Sequence, residues 1–398
     1  MPDKSTGDES GLPAPRTGTM TARRTIVLVT GRWRRDQALY PAEKLIAILK
    51  ACADSTVWIA TKEGGLHYRD DEVRIVEVQD RLVEEPFYVN IFYHILHQLR
   101  VLLLLLKIGG DTVVFAFGSD LCLLPILFGR LAGKEIILRT DGRPSAVLKM
   151  DDKRATPLKG RMFELVERIT YAAASRIVPE SPIMVSRYHL EKYRHKIETG
   201  GLYVDAGLFV RTTNLEERRF RAGFIGRLSE EKGVLAFAES LPAVLPDSDA
   251  EAVIIGYGHL APEVARILSA KGIRHQVICT GRVDNGDLPR YLNEIQTVVV
   301  PSAFEGLPNI VLESMACGCV VLATPVGGIP DLIRDGVTGF LLDDRSPAAI
   351  AAGVSQACTH HDREGIAKNA RRLIEQQYVF SVAVERYRRI LGGSTPAG

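Results

Sequence analysis

The sequence is poor in the features that define several specialised classes of protein. It has six cysteines in 398 residues, 7% aromatic residues and a formal net charge of only +2. So few cysteines exclude a small disulfide-bonded scaffold and favour free thiols in a reducing compartment, and we therefore expect a cytoplasmic protein. The balanced charge gives no indication of a nucleic-acid partner. The longest purely apolar run, Val101–Leu106, is far too short to span a bilayer.

Residue types that bind metals are present, but not in metal-binding patterns. Cys317 and Cys319 flank a single glycine, and no second pair of ligands accompanies them, so we expect both thiols to pack at a helix end. His94 and His97 share a helix face without a third ligand. The Asp247–Asp249 segment lies before a strand, where a turn uses such residues. The sequence therefore predicts no metal site and no metal cofactor.

The remainder of the chain alternates apolar strands with amphipathic helices. A length of 398 residues exceeds what one hydrophobic core usually organises, so we expect two domains. The alternation starts at Thr25 and again at Phe220, which predicts an α/β fold with two parallel, doubly wound sheets. The expected divisions are a disordered tail without the apolar segment of a signal peptide (1–22), an N-terminal domain (23–207), a C-terminal domain (208–377) and a final amphipathic helix (378–398).

Several local predictions bear on a site. Gly31 follows an apolar strand over 25–30 and either makes a plain turn or lets the backbone approach a phosphate. The most apolar segment, 88–107, is interpreted first as a buried helix packed on the sheet and second as a helix in contact with a membrane. Residues 143–159 are predicted to form a loop that covers an acceptor. Further helices are predicted over 181–192 and 232–245.

The most informative stretch runs from Pro301 to Thr324, PSAFEGLPNIVLESMACGCVVLAT. A strand ends at Pro301, and a short loop then carries Glu305. Pro308 is predicted in the first turn of a helix, where its missing N–H costs nothing, and this helix carries Glu313 on an otherwise apolar face. A strand end, a helix N-terminus and two carboxylates together suit a site for polyols and phosphates.

The frame EGLPNIVLESMACG resembles the signature of the retaining glycosyltransferases of family 4. Other segments in the order and spacing of that family are FIGRLSEEKGV (224–234), GRV (281–283), VGGIPDLI (326–333) and DGVTGFLL (335–342). The resemblance is close over Arg219–Asp344 and extends to the N-terminal half only in outline. It implies the GT-B architecture, in which two Rossmann-like domains face a cleft and the last helix crosses back to the first domain.

The resemblance also implies a nucleotide-diphosphate sugar, UDP- or GDP-linked, as donor substrate. Departure of the diphosphate requires neutralisation of its charge, either by a metal or by fixed cations and backbone dipoles. Arg227 and Lys232 offer the second route, with the start of a helix beside them. The expected donor-binding residues are Gly31, Gly226, Arg227, Lys232, Val283, Glu305, Gly306, Leu307, Pro308, Asn309 and Glu313.

Two carboxylates have distinct roles in this interpretation. By resemblance, Glu313 accepts hydrogen bonds from both ribose hydroxyls, and its two oxygens match the geometry of a vicinal diol. Glu305 and the N–H groups of residues 306–309 hold the donor sugar, and Glu305 also stabilises positive charge on its ring. The alternatives are a plain helix N-terminal charge at Glu305 and a solvated acid at Glu313.

The acceptor is predicted to meet Asp141, at the end of a strand in the N-terminal domain. Family members often carry a histidine there, so Asp141 either deprotonates an acceptor hydroxyl or binds a cationic acceptor. Acceptors that remain open are an amino sugar or aminocyclitol, a glycolipid and a polysaccharide end. A peripheral membrane contact through the N-terminal domain is a further expectation. The competing functions are a nucleotide-sugar epimerase and an inactive donor-binding partner subunit.

Overall fold

The computed structural model describes residues 24–33, 40–62, 68–78, 87–109, 112–117, 122–140 and 157–392. Within these ranges the chain forms two six-stranded sheets, in which each strand runs parallel to its neighbours. The α/β class and the two parallel sheets predicted from the sequence are confirmed. The predicted tail, most of the predicted acceptor loop and Asp141 lie outside the described residues.

The first sheet has the strand order β3-β2-β1-β4-β5-β6. Its strands are β1 (Thr25–Trp33), β2 (Ser55–Lys62), β3 (Val73–Glu77), β4 (Thr112–Phe117), β5 (Glu135–Thr140) and β6 (Arg176–Pro179). The helices of this half are α1 (Tyr40–Lys50), α2 (Phe87–Lys107), α3 (Leu123–Leu131), α4 (Pro157–Ala173) and α5 (Ile183–Arg187). The strand order reverses direction between β1 and β4, which is where open sheets of this type bind ligands.

The second sheet repeats this topology as β12-β11-β10-β7-β8-β9. Its strands are β7 (Phe220–Ile225), β8 (Glu251–Ile255), β9 (Val277–Gly281), β10 (Ile295–Val300), β11 (Val320–Ala323) and β12 (Phe340–Leu341). Its helices are α6 (Val234–Val244), α7 (Ala261–Ala270), α8 (Leu288–Leu292), α9 (Asn309–Ala316), α10 (Ile329–Leu332), α11 (Pro347–Thr359) and α12 (Arg363–Gln377). The equivalent reversal lies between β7 and β10.

The final helix, α13 (Phe380–Gly392), packs against the first sheet and not the second. Its apolar face joins the cluster that contains Ile26 and Leu28 of β1. The residues it contributes are Ala383, Val384, Tyr387, Ile390 and Leu391. Because these side chains are buried, the last helix is part of the N-terminal core.

Helix α2 has two different faces. Val101 and Leu105 are fully buried in the cluster on the first sheet, as expected for a helix that packs on that sheet. Phe92 and Leu103 on the other side are 63% and 58% exposed, so the helix is not buried all round. Among the described residues, no helix combines the length and the apolar composition needed to cross a membrane.

The structure corrects several local predictions. The helix predicted over 181–192 is only α5, followed by a 3-10 helix, Glu191–Lys196. The helix predicted over 232–245 is a 3-10 turn, Glu230–Lys232, followed by α6, because Gly233 between them has a φ of 75°. Pro308 is extended, with ψ 121°, so α9 begins one residue later. Helix α4 starts at Pro157, inside the predicted loop.

Candidate active site

The loops that follow β7 and β10 meet at the reversal point of the second sheet. The β7 loop leads to the 3-10 turn with Lys232, and the β10 loop carries Glu305. Two glycines allow these backbones to lie in contact: a Cβ at Gly233 would lie 2.3 Å from the Pro301 carbonyl oxygen. One at Gly327, where φ is 55°, would lie 2.0 Å from the Glu305 carbonyl oxygen. Larger residues at either glycine would displace the loop that carries Glu305.

Lys232 and Glu305 form an ion pair at this point. The Lys232 Nζ lies 2.7 Å from Glu305 Oε1, and the same oxygen accepts a hydrogen bond of 2.6 Å from the Ser302 hydroxyl. The side chains are 23% and 8% exposed, so the ammonium reaches solvent while the carboxylate is nearly enclosed. The structure therefore brings the predicted phosphate-binding cation next to the predicted sugar-binding carboxylate.

Arg227 lies in the same loop but has a different partner. Its Nη2 is 3.3 Å from Glu231 Oε1, and the Arg227 side chain is 58% exposed. Pairs this exposed contribute little to stability, so the guanidinium can exchange partners at low cost. Gly226 starts the loop, and its N–H donates to the Ile255 carbonyl oxygen at 3.0 Å. Val283, after β9, is partly buried against the second-domain core.

The N-terminus of α9 points backbone donors towards the same region. Within the helix, the first backbone bond runs from the Val311 N–H to the Pro308 carbonyl oxygen at 3.1 Å, so the N–H groups of Asn309 and Ile310 precede it. The Leu307 N–H donates to Glu180 Oε2 at 2.7 Å. Gly306 is held from the other side, where its carbonyl oxygen accepts the Gly328 N–H at 2.8 Å. The turn 306–309 is thus held from both sides, but Pro308 has no N–H and the Leu307 N–H is used by Glu180, contrary to the prediction that all four residues offer donors.

Glu180 belongs to the N-terminal domain, and no sequence pattern indicated its part in this contact. It follows β6, and its second oxygen accepts a hydrogen bond from Arg139 at 2.5 Å. Arg139 Nε in turn donates to the Tyr387 hydroxyl on α13 at 3.1 Å. Arg139 is fully buried within the apolar strand EIILRT, and a charged residue in such a strand is the signal that could have identified it.

Glu313 is not a solvated acid, because it is only 3% exposed. Lys44 on α1 of the N-terminal domain places its Nζ 3.4 Å from Glu313 Oε1 and 3.0 Å from Asn309 Oδ1. The Tyr40 hydroxyl donates to the same carboxylate. Two residues of the first domain therefore occupy the carboxylate predicted to bind ribose. A lysine on the buried side of an amphipathic helix was the available sequence signal for Lys44.

The electrostatics of this contact follow from its burial. Burial raises the pKa of Glu313, and the Lys44 ammonium and the Tyr40 hydroxyl act in the opposite direction. Burial lowers the pKa of Lys44, against the effect of Glu313. Burial, followed by the Glu313 charge, raises the pKa of Tyr40. Lys44 and Glu313 thus each favour the charged form of the other, while Glu313 favours the neutral hydroxyl of Tyr40.

Two further predicted site residues have different outcomes. Gly31 is not a turn after the strand, because β1 continues to Trp33. It lies at an irregularity where β1 pairing with β2 shifts register between Val29 and Arg32, so an extra residue is accommodated in the strand. Asp141 directly follows Thr140, the last residue of β5, and is not among the described residues.

The two cysteines that were predicted to pack at a helix end, Cys317 and Cys319, do so. Cys317 and Cys319 are fully buried. Cys319 Sγ donates to the Leu292 carbonyl oxygen at 3.1 Å and accepts from Arg218 at 3.3 Å. All six cysteines are free thiols, as expected, and Cys279 is exposed.

Residues 219–360 match the family model described as Glycosyl transferases group 1. The two six-stranded parallel sheets give the chain the fold of the GT-B architecture. Over these residues, the match confirms the resemblance to glycosyltransferases that the motifs predicted.

Particular relatives and structures support this assignment. The chain is 29% identical over 171 residues to "Uncharacterized glycosyltransferase MJ1607" of Methanocaldococcus jannaschii, which covers 43% of this chain and 44% of the relative. It is 30% identical over 188 residues to the alpha-D-kanosaminyltransferase of Streptomyces kanamyceticus, covering 46% and 49%. The match thus spans less than half of each relative. The fold resembles that of Anabaena HepE in complex with UDP, with a TM-score of 0.72, 15% identity and coverage of 92% and 99%.

Proposed function

We propose that the protein transfers a sugar from a nucleotide-diphosphate sugar to an acceptor hydroxyl, with retention of anomeric configuration and without a metal ion. The observation that carries the proposal is the Lys232–Glu305 pair, 2.7 Å apart, beside the start of α9 at the reversal point of the second sheet. A sugar diphosphate needs a cation and the backbone N–H groups of a helix N-terminus for its phosphates, and a carboxylate for its sugar hydroxyls.

The chemistry assigned to these residues is neutralisation of a leaving group. As the bond between the anomeric carbon and the phosphate oxygen breaks, negative charge develops on the diphosphate. Lys232, Arg227 and the α9 N-terminus oppose it with positive charge. The acceptor oxygen forms the new bond to the anomeric carbon on the same face, and its proton passes to the departing diphosphate. Glu305 stabilises the positive charge on the sugar ring.

The nucleoside is assigned to Glu313. Its two oxygens accept hydrogen bonds from the ribose hydroxyls, a role that the family motif suggests. In the structure this carboxylate is already bonded to Lys44 and Tyr40. Because each carboxylate oxygen can accept more than one hydrogen bond, the ribose hydroxyls would either join these two contacts or replace them.

The acceptor is assigned to the N-terminal domain, near Asp141. An acidic residue directly after β5 suits an amino sugar or aminocyclitol as acceptor, and one relative, of Streptomyces fradiae, is named 2-deoxystreptamine N-acetyl-D-glucosaminyltransferase. A glycolipid or polysaccharide end is the second candidate. We further propose a cytoplasmic location, with peripheral contact between the N-terminal domain and the inner face of the membrane.

A donor and acceptor panel tests the function. Binding of UDP- and GDP-sugars would be measured by calorimetry, and products would be identified by mass spectrometry and by NMR of the anomeric proton. We expect one donor to bind and to yield a product with the anomeric configuration of the donor, in buffer with EDTA. Donor binding with neither transfer nor donor hydrolysis would instead indicate the inactive partner subunit. Conversion of the donor sugar to its isomer without an acceptor would indicate the epimerase.

A further inference from the structure

Three neighbouring helices of the N-terminal domain carry a large exposed apolar surface. Helix α2 packs on α3, and α3 packs on α4. Their exposed large apolar side chains range from 41% exposure at Met162 to 79% at Leu131. We call this the apolar helical face, and it consists of Phe92, Ile95, Leu99, Leu103 and Leu106 on α2, Phe128 and Leu131 on α3, and Met162 and Leu165 on α4.

The residues of this face are ordered along the helix. On α2 they recur at intervals of three or four positions, which places them on one side of the helix. The opposite side, with Val101 and Leu105, is fully buried on the sheet. In the part of the chain that the structure describes, the other exposed large apolar residues are separate from these helices: Leu208, Val210, Tyr257, Val337 and Phe380. A concentration of this kind marks an interaction site, whereas single exposed apolar residues do not.

The charges around the face have one sign. The exposed charged side chains on the described parts of these three helices are all cationic: Arg100, Lys107, Arg130, Arg161 and Arg168. The acids of α4 are less accessible, since Glu164 is partly exposed and Glu167 is buried. Glu77 of β3 is exposed and lines a groove with Arg100 and Lys107 at one border. The face as a whole is therefore apolar with a cationic surround.

We propose that the apolar helical face docks the protein on an anionic lipid bilayer. Apolar side chains on one side of a surface helix enter the boundary between headgroups and acyl chains, and lysine and arginine beside them attract anionic lipids. The long basic side chains can extend to the phosphates while their stems remain in apolar contact. A protein partner would need a matching acidic surface as well as an apolar one, whereas an anionic bilayer supplies both by its composition.

This inference deepens the proposed function by naming the surface and the lipid chemistry of the membrane contact. The docking surface does not depend on the donor site, since it lies on the other domain. If the proposed transfer is correct, docking places the acceptor-binding half of the protein at the lipid headgroups. Such an arrangement favours an acceptor carried by a lipid over a soluble one.

Vesicle sedimentation with the full chain tests the proposal without any substrate. We expect the protein to sediment with vesicles that contain phosphatidylglycerol and phosphatidylcholine, and much less with pure phosphatidylcholine vesicles. Because the attraction is partly electrostatic, binding should weaken as salt is raised. The triple variant Leu99→Ser, Leu103→Ser, Leu131→Ser should lose about tenfold or more in partition, since each side chain removes apolar area from the bilayer.

Two further variants keep the test decisive. Val337→Ser with Phe380→Ser removes exposed apolar side chains elsewhere and should bind vesicles as the wild type does. Arg130→Glu with Arg161→Glu should reduce binding to anionic vesicles while leaving circular dichroism and donor affinity unchanged.

Absence of wild-type binding to anionic vesicles at low salt would overturn the proposal. So would a wild-type dimer in sedimentation velocity that the triple variant dissociates, because a second copy would then cover the face. Loss of transfer activity alone would bear on the proposed function and not on this surface.

Discussion

Lys44 places a positive charge inside the contact between the two domains, against Glu313. Both side chains are 4% exposed, so neither is solvated if the other is removed. Removing one partner of a buried pair typically costs about 3–5 kcal/mol, because an uncompensated charge remains. We therefore expect Lys44→Met to lower the free energy of unfolding by about that amount at pH 8.

The pH dependence of this loss distinguishes a buried charge from lost packing. The pKa of Glu313 is raised by burial, and it should rise further without Lys44. A raised pKa in the folded state stabilises the protonated form, so this contribution is present at low pH and is lost as the pH rises above that pKa. Urea unfolding should show a larger deficit for Lys44→Met at pH 8 than at pH 5. Adding Glu313→Gln should remove the difference, and a deficit independent of pH would refute the account.

Asp141 is assigned a role at the acceptor on the basis of its sequence position alone. We expect Asp141→Asn to impair transfer while donor affinity stays nearly unchanged, because the predicted donor residues other than Gly31 belong to the other domain. If Asp141 is a general base, turnover should fall with every acceptor. If it binds an amine, the KM should rise for amino acceptors only. A loss of donor affinity together with transfer would remove Asp141 from the acceptor site.

At the scale of elements, the break between the 3-10 turn and α6 positions Lys232. Gly233 has a φ of 75°, and a Cβ there would lie 2.3 Å from the Pro301 carbonyl oxygen. Gly272 has a similar φ of 72°, but a Cβ there meets no atom within 4 Å. A comparison of substitutions at Gly233 and Gly272 therefore separates the cost of backbone strain from the cost of displacing neighbouring atoms.

We expect Gly272→Ala to cost about 1–2 kcal/mol, the strain of a left-handed alanine. Gly233→Ala should cost more than Gly272→Ala and should also reduce transfer, because the loop carrying Glu305 must move. Thermal unfolding and turnover of both variants would be compared. Equal stability and full activity in the two variants would show that the close contact has no role in positioning the site.

The same elements show what the sequence could predict. The strand that ends before Asp141 was predicted, because an apolar run between polar neighbours is decided by local pattern, and it is β5 in the structure. The break at Gly233 was missed, since only contact with Pro301, distant in the chain, makes a left-handed glycine necessary there. The start of α9 was predicted one residue too early, because a proline is accepted both at the N-cap and in the first turn.

At the scale of the whole molecule, the domains meet through side chains that no motif identified. The motifs predicted Glu305, Glu313 and Lys232 because these lie in one domain in a recognisable frame. Lys44 and Glu180 contact that domain from the other, and such contacts depend on how two separately folded sheets are placed together. Local sequence patterns carry no information on that placement.

Tyr387 couples the last helix to this contact. Its hydroxyl accepts a hydrogen bond from Arg139 at 3.1 Å and donates one to the Gly200 carbonyl oxygen at 2.9 Å. Tyr387→Phe leaves two buried groups without this partner, so we expect the free energy of unfolding to fall by about 1–3 kcal/mol. Chemical denaturation would measure it, with donor affinity as a control that should not change. Unchanged stability would mean that these bonds contribute nothing to α13 docking.

The central claim is that fixed cations, and not a metal, support departure of the diphosphate. It is tested most directly by the turnover number of Lys232→Ala in EDTA, with the exposed Lys271→Ala as matched control. Removal of one such donor typically costs about 2.7–4 kcal/mol, so turnover should fall about 100- to 1000-fold with little change in stability, and Arg227→Ala should behave alike. Lys271→Ala should retain wild-type turnover. Wild-type turnover of Lys232→Ala, or activity that disappears in EDTA and returns with Mg²⁺, would contradict the account.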